Sequence, residues 1–360
     1  MNSFTSDKDV GRAYKVYELI KSHLPAPLEE KFAFAAPLLY PPKSRGIPWK
    51  TRLEMYRHGF QPRAYYIYDF ERYGIDAYLS DRNKHEGDLN EPLSDCLKNK
   101  RKFHELFDDY GLGRHLPELY GEISGSRVPA ADTDYVTLLE REGALVTKGV
   151  TGYGGYNVNI FKYEEGEYYI NNSKVKKETV RDVARQLDGY LVTEHCIQAR
   201  YAEELYPNAT NTIRLITINP QENEPYIPVA VHRIGTEESG HVDNCSQGGL
   251  TAEVKQTGRL SAAGKFVNND VVWYDTHPDS NAQIKDATVP RWDEMCKTVL
   301  SIVNRIKELR YVGWDVLLTE SGEFKIIEGN NRSDVDLLQI HRPLLRKKQT
   351  REFFIRHGLA

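Results

Sequence analysis

Tyr-Val-Gly-Trp-Asp-Val-Leu-Leu-Thr at 311–319 and Phe-Lys-Ile-Ile-Glu-Gly-Asn at 324–330 flank the turn-like stretch Glu-Ser-Gly-Glu. Each apolar segment carries one acidic residue where an apolar one is expected, Asp315 and Glu328. A hairpin turning about Ser321–Gly322 sets residue 315 directly opposite 328, and paired residues share a sheet face with Cβ atoms about 4.5–5.5 Å apart. Like charges placed that way repel, and burying them without a partner is costly. A divalent cation reverses the sign of that interaction. Asn330, two residues beyond Glu328, lies on the same strand face and offers a third oxygen. Two carboxylates and an amide oxygen form a hard, oxygen-only site of the kind that holds Mg²⁺ together with bound phosphates. The alternative is a register shifted by one residue, which leaves both acids at the surface.

The chain has 360 residues, long enough for two or three compact units. Its net charge of −4 and pI near 6.3 argue against broad nucleic-acid binding, which calls for a basic excess. No apolar run approaches the roughly 18 residues of a membrane span, and Phe32–Tyr40 is short and carries proline. The N-terminus shows no basic region followed by an apolar one, so no export signal is read and a cytoplasmic protein is expected. Cys96, Cys196, Cys245 and Cys296 are widely spaced and form no Cys-x-x-Cys pair, which points to reduced thiols and away from zinc.

Residues 9–22 read as a short amphipathic helix. A proline- and tyrosine-rich segment follows from Pro25 to Tyr78, with a local positive bias from Lys43, Arg45, Lys50, Arg52, Arg57 and Arg63. That bias suits an anionic sugar, a nucleotide sugar or lipid headgroups, and it equally suits a solvated face. Residues 96–110 read as one helix stopped by Gly111. Strands are expected at Gly143–Lys148, Tyr156–Tyr163 and Tyr190–Thr193, with a helix over Lys174–Leu187. Two further strands lie between Asn211 and Ile234, and the amphipathic helix Trp292–Leu309 leads into the hairpin. This order is α+β and not a regular βαβ alternation.

Lys148 closes an apolar strand and is followed by Gly149, Gly152, Gly154 and Gly155. Glycines let backbone N–H groups approach phosphate oxygens, and the lysine supplies a point charge. The pattern is neither a Walker loop nor a dinucleotide fingerprint; a plain flexible turn is the alternative. In Tyr190-Leu-Val-Thr-Glu194-His-Cys-Ile197 a strand ends in a carboxylate and a short apolar run. Main-chain groups there suit adenine, with Glu194 accepting the exocyclic amine; an ordinary strand end is the other reading. Arg214 sits mid-strand among apolar residues and needs an anion, either a bound carboxylate or phosphoryl group or a structural ion-pair partner. Arg233 is similar but nearer a strand end. Asp243-Asn-Cys-Ser-Gln-Gly-Gly249 forms either a backbone cradle for an anion or a tight turn.

Together these residues resemble the ATP-grasp ligases. The spacing Asp315, twelve residues, Glu328, one residue, Asn330 is similar to the magnesium motif of D-alanine–D-alanine ligase. Asn99-Lys100 resembles the first ATP-binding lysine, Lys148 with its glycine loop the second, and Glu194 to Ile197 the adenine hinge. Gly-Phe-Gln-Pro (59–62), Asn-Thr-Ile-Arg (211–214), Val-Asp-Asn-x-Ser-x-Gly-Gly (242–249), His-Pro-Asp (277–279), Gly-Trp-Asp-Val (313–316) and Glu-Gly-Asn-Asn (328–331) resemble the sugar-transfer-associated subgroup related to α-L-glutamate ligases. The resemblance runs from about residue 55 to 345. It departs from the pattern at Tyr156 and Asn157, offers no clear ribose-binding acid (Glu203 or Glu204), and has Gly313 where D-alanine–D-alanine ligase carries an arginine.

The resemblance implies two α+β subdomains gripping ATP. The expected division is 1–95 an extension, 96–193 the small subdomain with the glycine loop, 194–345 the large subdomain with the magnesium site, and 346–360 a tail. It implies ATP and Mg²⁺ as cofactors. Lys100, Lys148, Gly152, Gly154, Gly155, Glu194 and Ile197 would hold the nucleotide, Asp315, Glu328 and Asn330 the metal, and Arg214 and Arg233 the reacting carboxylate. The implied reaction joins a carboxylate and an amine, an amino acid and a sugar acid or amino sugar, through an acyl phosphate. The same ATP site is compatible with a small-molecule kinase or with a non-catalytic nucleotide-binding partner of glycosyltransferases.

Overall fold

The computed structural model describes residues 46–86, 88–152 and 157–360. The helix expected at 9–22, Lys43, Arg45, Gly154, Gly155 and Tyr156 lie outside the described residues. The chain divides into two compact units. One contains residues up to Asp88 together with 267–271 and 342–360; the other contains 89–266 and 272–341. Residues 342–360 fall in the same unit as the described residues 46–86 and Asp88.

The first unit is built from short helices, including Trp49–Arg57, Phe70–Tyr73 and Lys348–Arg356. Two tyrosines of this unit, Tyr68 and Tyr78, join an aromatic core, while Tyr65 and Tyr66 are exposed. Tyr68 stacks on Tyr78 with ring centroids 4.5 Å apart, and Phe60 and Phe70 meet them edge-on.

The strands form a two-stranded ribbon, Arg127–Val128 with Thr133–Asp134, and two large antiparallel sheets. The smaller is six-stranded: β1 (Leu119–Glu122), β2 (Ala144–Lys148), β3 (Val158–Glu164), β4 (Glu167–Ile170), β5 (Ser173–Val175) and β6 (Leu191–Glu194), in the order β1-β6-β2-β3-β4-β5. The larger is seven-stranded: β7 (Ile213–Ile218), β8 (Ala230–Ile234), β9 (Leu250–Val254), β10 (Leu260–Val267), β11 (Asp270–Tyr274), β12 (Tyr311–Leu318) and β13 (Phe324–Asn331), in the order β11-β10-β9-β8-β7-β12-β13.

The region 96–110 is not one helix. Asn99 is extended, and its side-chain oxygen accepts from the N–H groups of Arg101 and Lys102 at 3.0 and 3.1 Å. It caps a second helix, α1 (Lys100–Asp109), and so separates it from the short helix Ser94–Lys98. The helix expected from Lys174 starts later for a similar local reason: Ser173–Val175 pairs with β4, and α3 covers Lys177–Gln186 after α2 (Tyr135–Glu142).

Strand alternation gives each sheet a dry face and a working face. In the small sheet Leu145, Phe161 and Val192 pack with Leu138, Leu139 of α2 and Val180, Ala184 of α3. The opposite face carries Val146, Lys148 and Ile160. In the large sheet Ile213, Leu215, Val312, Trp314 and Val316 join the core, where Trp314 meets Phe103 and Phe107 of α1 with ring centroids 6.4 and 6.3 Å away. Thr212, Arg214, Asp315 and Leu317 take the other face.

The decisive hairpin pairs Asp315 with Glu328, but not through a simple two-residue turn. Leu318 pairs with Phe324, which centres the turn on Ser321 and would set 315 opposite 327. A bulge at Ile327 then adds one residue: Val316 faces Ile326 while Asp315 faces Glu328. In a regular ladder through Ile327, Glu328 would keep phase with Ile326 and point into the core.

Candidate active site

A cavity of about 200 Å³ opens between the working faces of the two sheets, within the second unit. Its lining includes Lys100, Lys148, Gly152, Glu194, Arg214, Arg233, Asp315, Glu328 and Asn330. Of the site residues expected from sequence and described, only Ile197 stands outside it. Ile197 is 57% exposed, and its carbonyl accepts from the N–H of Glu320 at 2.9 Å. The hinge segment therefore faces the cavity through Glu194, His195 and Cys196. Glu194 is fixed by the N–H of Glu118, which donates to its Oε2 at 3.1 Å.

Lys100 and Lys148 approach from different elements. Lys100 opens α1; its backbone N–H donates to Val150 O at 2.9 Å and its ammonium to Gly152 O at 3.1 Å. It thereby ties the described base of the glycine loop to α1, with its ammonium 3.9 Å from Glu328 Oε2. Lys148 ends β2 and is only 6% exposed. Among the described residues nothing pairs with its ammonium. Burial pushes it down to about 8, with Glu328 opposing that shift and Lys100 reinforcing it. A buried, unpartnered ammonium facing a cavity calls for an anion there.

On the large sheet one cross-strand row reads Arg214, Asp315, Glu328, because β7 and β13 flank β12. Arg214 grips Asp315 bidentately, through Nε on Oδ1 and through Nη2 on Oδ2 at 3.0 Å. Arg233 adds its Nη2 to Asp315 Oδ2 at 3.1 Å. Burial alone would raise the Asp315 carboxyl, but the two guanidiniums hold it below the usual range. The expectation that an unpaired acidic couple demands a cation thus needs correcting: Asp315 is balanced by arginines. Glu328 is not. Burial raises it, Lys100 only partly opposes this, and Asp315 pushes it further up.

Arg233 is itself held in a network that sequence reading missed. Its Nε and Nη2 donate to Thr212 Oγ1 at 3.1 and 2.6 Å, and Nη2 lies 3.2 Å from Asp243 Oδ1. Asp243 Oδ2 accepts from Thr212 N and Oγ1 at 2.8 and 2.6 Å. Against the penalty of burial, Asp243 and Asp315 keep Arg233 firmly charged. The clue available in sequence was Thr212, two residues before Arg214 and hence on its strand face. Among the described residues Arg233 Nη1 has no partner, and Arg233 lines the cavity. The stretch 243–249 is a tight turn and not an anion cradle: the N–H groups of Gln247 and Gly249 donate to Asn244 O, and that of Gly248 to Cys245 O.

Gly313 has a steric origin. A Cβ there would lie 2.2 Å from Ser333 Oγ, the hydroxyl that accepts from Arg214 Nη1 at 3.1 Å. No arginine fits at this position without moving Ser333.

A family model described as sugar-transfer associated ATP-grasp matches residues 82–351. The chain belongs to this family. The match starts later than the resemblance read from sequence and runs slightly further. No curated protein matches. Among solved structures, ATP-grasp ligase PsnB complexed with a phosphomimetic variant of minimal precursor, Mg and ADP is 12% identical with TM-score 0.41, covering 75% of this chain and 61% of that one. N5-carboxyaminoimidazole synthetase from Staphylococcus aureus complexed with ADP is 8% identical with TM-score 0.39, covering 67% and 46%. L-amino acid ligase from Bacillus licheniformis is 11% identical with TM-score 0.37, covering 67% and 42%. The chain thus spans 42–61% of the length of these three proteins.

Family membership makes ATP and Mg²⁺ the cofactors to test against these residues. Lys148, buried and unpartnered, fits a phosphate. For the metal, the guanidiniums engage both oxygens of Asp315, and Asn330 also hydrogen-bonds to that carboxylate. Asn330 donates through Nδ2 to Gly313 O at 3.1 Å, which leaves its Oδ1 as an acceptor. With Glu328 this gives two carboxylates and an amide, enough for an ion that keeps waters and shares phosphate oxygens. Among the described residues no group of three or more His, Cys, Asp or Glu side chains forms a self-sufficient metal site.

Proposed function

We propose that this ATP-grasp protein is an ATP- and Mg²⁺-dependent ligase that joins a carboxylate to an amine through an acyl phosphate. The observation that carries the reading is the convergence of Lys100, Lys148, Arg214, Arg233, Glu328 and Asn330 on one cavity. A carboxylate is a poor electrophile because oxide is a poor leaving group; phosphorylation by ATP supplies a good one. Lys100 and Lys148 neutralise the phosphates, and the apolar Val146, Ile160, Leu317 and Ile327 line the space for the nucleotide. Glu328, Asn330 and Asp315 would hold Mg²⁺, which would supply charge compensation for the phosphate oxygens. Arg233 Nη1 and the outward N–H groups of Arg214 orient the acceptor carboxylate, and later stabilise the oxyanion formed when the amine attacks. Asp315 keeps both guanidiniums in place. The loop based on Gly149 and Gly152 limits water, which would otherwise hydrolyse the acyl phosphate.

The family's association with sugar transfer supports an amino acid and a sugar acid or amino sugar as the pair to be joined, within polysaccharide or glycoconjugate synthesis. A phosphate-release screen of amino acids against uronic acids and amino sugars tests this. A ligase releases phosphate only when acid and amine are both present; a phosphorylated acceptor without amide identifies a kinase instead. Turnover retained by the double variant Asp315→Asn, Glu328→Gln would overturn the metal assignment.

A further inference from the structure

The first unit contains a second charged cavity, of about 520 Å³, lined by Arg72, Tyr73, Ala77, Arg346, Lys348 and Arg351. Four of these six residues are cationic and none is acidic. The segment 342–360 that supplies three of them carries Arg342, Arg346, Lys347, Lys348, Arg351 and Arg356 against the single acid Glu352, in a chain whose net charge is −4. Like charges gathered around one concavity repel, and the local geometry holds them there. Arg72 and Arg346 each lie over the ring of Tyr73, with guanidinium carbons 5.0 and 5.1 Å from its centroid. Neither arginine has a carboxylate partner among the described residues. Arg351 is anchored by main-chain acceptors, donating from Nε to Leu345 O at 3.1 Å and from Nη2 to Asp76 O at 3.0 Å. Those contacts fix the guanidinium without cancelling its charge. Lys348 has only a loose contact with Glu352, at 3.8 Å.

The same place receives the N-terminus of the nine-residue helix Lys348–Arg356, which has no side-chain cap. Its first N–H groups and its dipole add to the positive field. The positive residues singled out from sequence at Lys50, Arg52, Arg57 and Arg63 do not line this cavity; Arg72 and the distant C-terminal segment do.

We propose that this cavity binds a phosphate-bearing ligand, its phosphate oxygens held by the forks of Arg72, Arg346 and Arg351 and the ammonium of Lys348. Planar guanidiniums engage phosphate oxygens two at a time, and Tyr73 pre-orients two of them. The inference is independent of the ligase reading, since it uses none of that cavity's residues. Two sources share the chemistry, a soluble sugar-nucleotide diphosphate and a phospholipid headgroup, and they separate in one experiment.

Binding of uridine diphosphate and of inorganic pyrophosphate to the full chain is measured by calorimetry, in the wild type, in Arg72→Gln/Arg346→Gln and in Lys148→Met. Co-sedimentation with vesicles of phosphatidylcholine plus phosphatidylglycerol, against phosphatidylcholine alone, forms the second arm. The expected result is at least one of these probes bound by wild type and by Lys148→Met, and bound about tenfold or more weakly by the double arginine variant. Binding confined to the soluble diphosphates assigns the sugar-nucleotide source, and binding confined to the anionic vesicles assigns the lipid source. An Arg346→Glu variant, at an exposed position, should weaken the same probe further while leaving the thermal midpoint unchanged. Absence of binding in both arms, or binding that Lys148→Met abolishes and the arginine variants leave intact, overturns the proposal.

Discussion

Replacing Lys148 with methionine should stabilise the free protein while weakening its hold on nucleotide. The side chain is 6% exposed, and burial lowers its ammonium from 10.5 to about 8. That drop makes the buried charge about 3–4 kcal/mol unfavourable when it is protonated in both states. Methionine keeps the apolar stem without the charge. Below pH 8 the variant should therefore unfold at higher denaturant, by up to about 3–4 kcal/mol. The advantage should shrink between pH 8 and 10.5, where only the unfolded lysine still holds its proton, and vanish above that range. Titration calorimetry with Mg-ADP should show the opposite trend, because a charge-assisted bond worth about 1.5–3 kcal/mol is lost, roughly 10- to 100-fold in affinity. A variant that is less stable than wild type at pH 7, or that binds nucleotide equally well, would refute the argument that this ammonium is held unpartnered for a phosphate.

Three other outcomes follow from the same geometry. Asp315→Asn leaves Arg214 and Arg233 without their shared carboxylate and should cost about 3 kcal/mol at neutral pH, measured by urea unfolding. Since Asp315 is held below its ordinary 3.8, that stabilisation is complete above 3.8 and lost as pH falls through the lowered value, so the difference should disappear in acid. Gly313→Ala forces a Cβ to 2.2 Å from Ser333 Oγ and should destabilise by about 1–3 kcal/mol, with Ser333→Gly restoring most of it in thermal melts. Asp243→Asn frees Arg233 and Thr212 from their shared anchor; steady-state kinetics should show a larger rise in KM for the carboxylate than for ATP, and equal effects on both would refute the positioning role.

The sequence was most legible where alternation and spacing act locally. The acidic residues at 315 and 328, the strand ending in Lys148 and the glycines after it all follow from period-two patterning and turn chemistry. The partners of those residues were not legible, because they come from strand order. Nothing local says that β7 lies beside β12, yet that adjacency gives Asp315 its arginine and removes the argument that only a cation could balance it. Asn99 shows a second limit: helical periodicity runs through it from Cys96 to Tyr110, but its side chain competes for the backbone N–H groups and splits the segment. Ile197 shows a third, since a main-chain carbonyl's availability depends on a remote donor, Glu320.

The bulge at Ile327 separates two tasks that a regular hairpin would bind together. In an unbroken ladder Glu328 and Asn330 would share the face of Ile326, so the strand could not place Ile326 in the core and the two polar residues in the cavity. Here the loop and the acid-bearing end are each in phase with their own neighbours, and the single unpaired residue absorbs the mismatch. The bulge, not the turn, therefore sets the facing of the acid: removing Ile327 would leave Glu328 opposite Asp315 in a regular ladder, whereas a regular ladder that kept Ile327 would set Glu328 opposite Trp314 in the core.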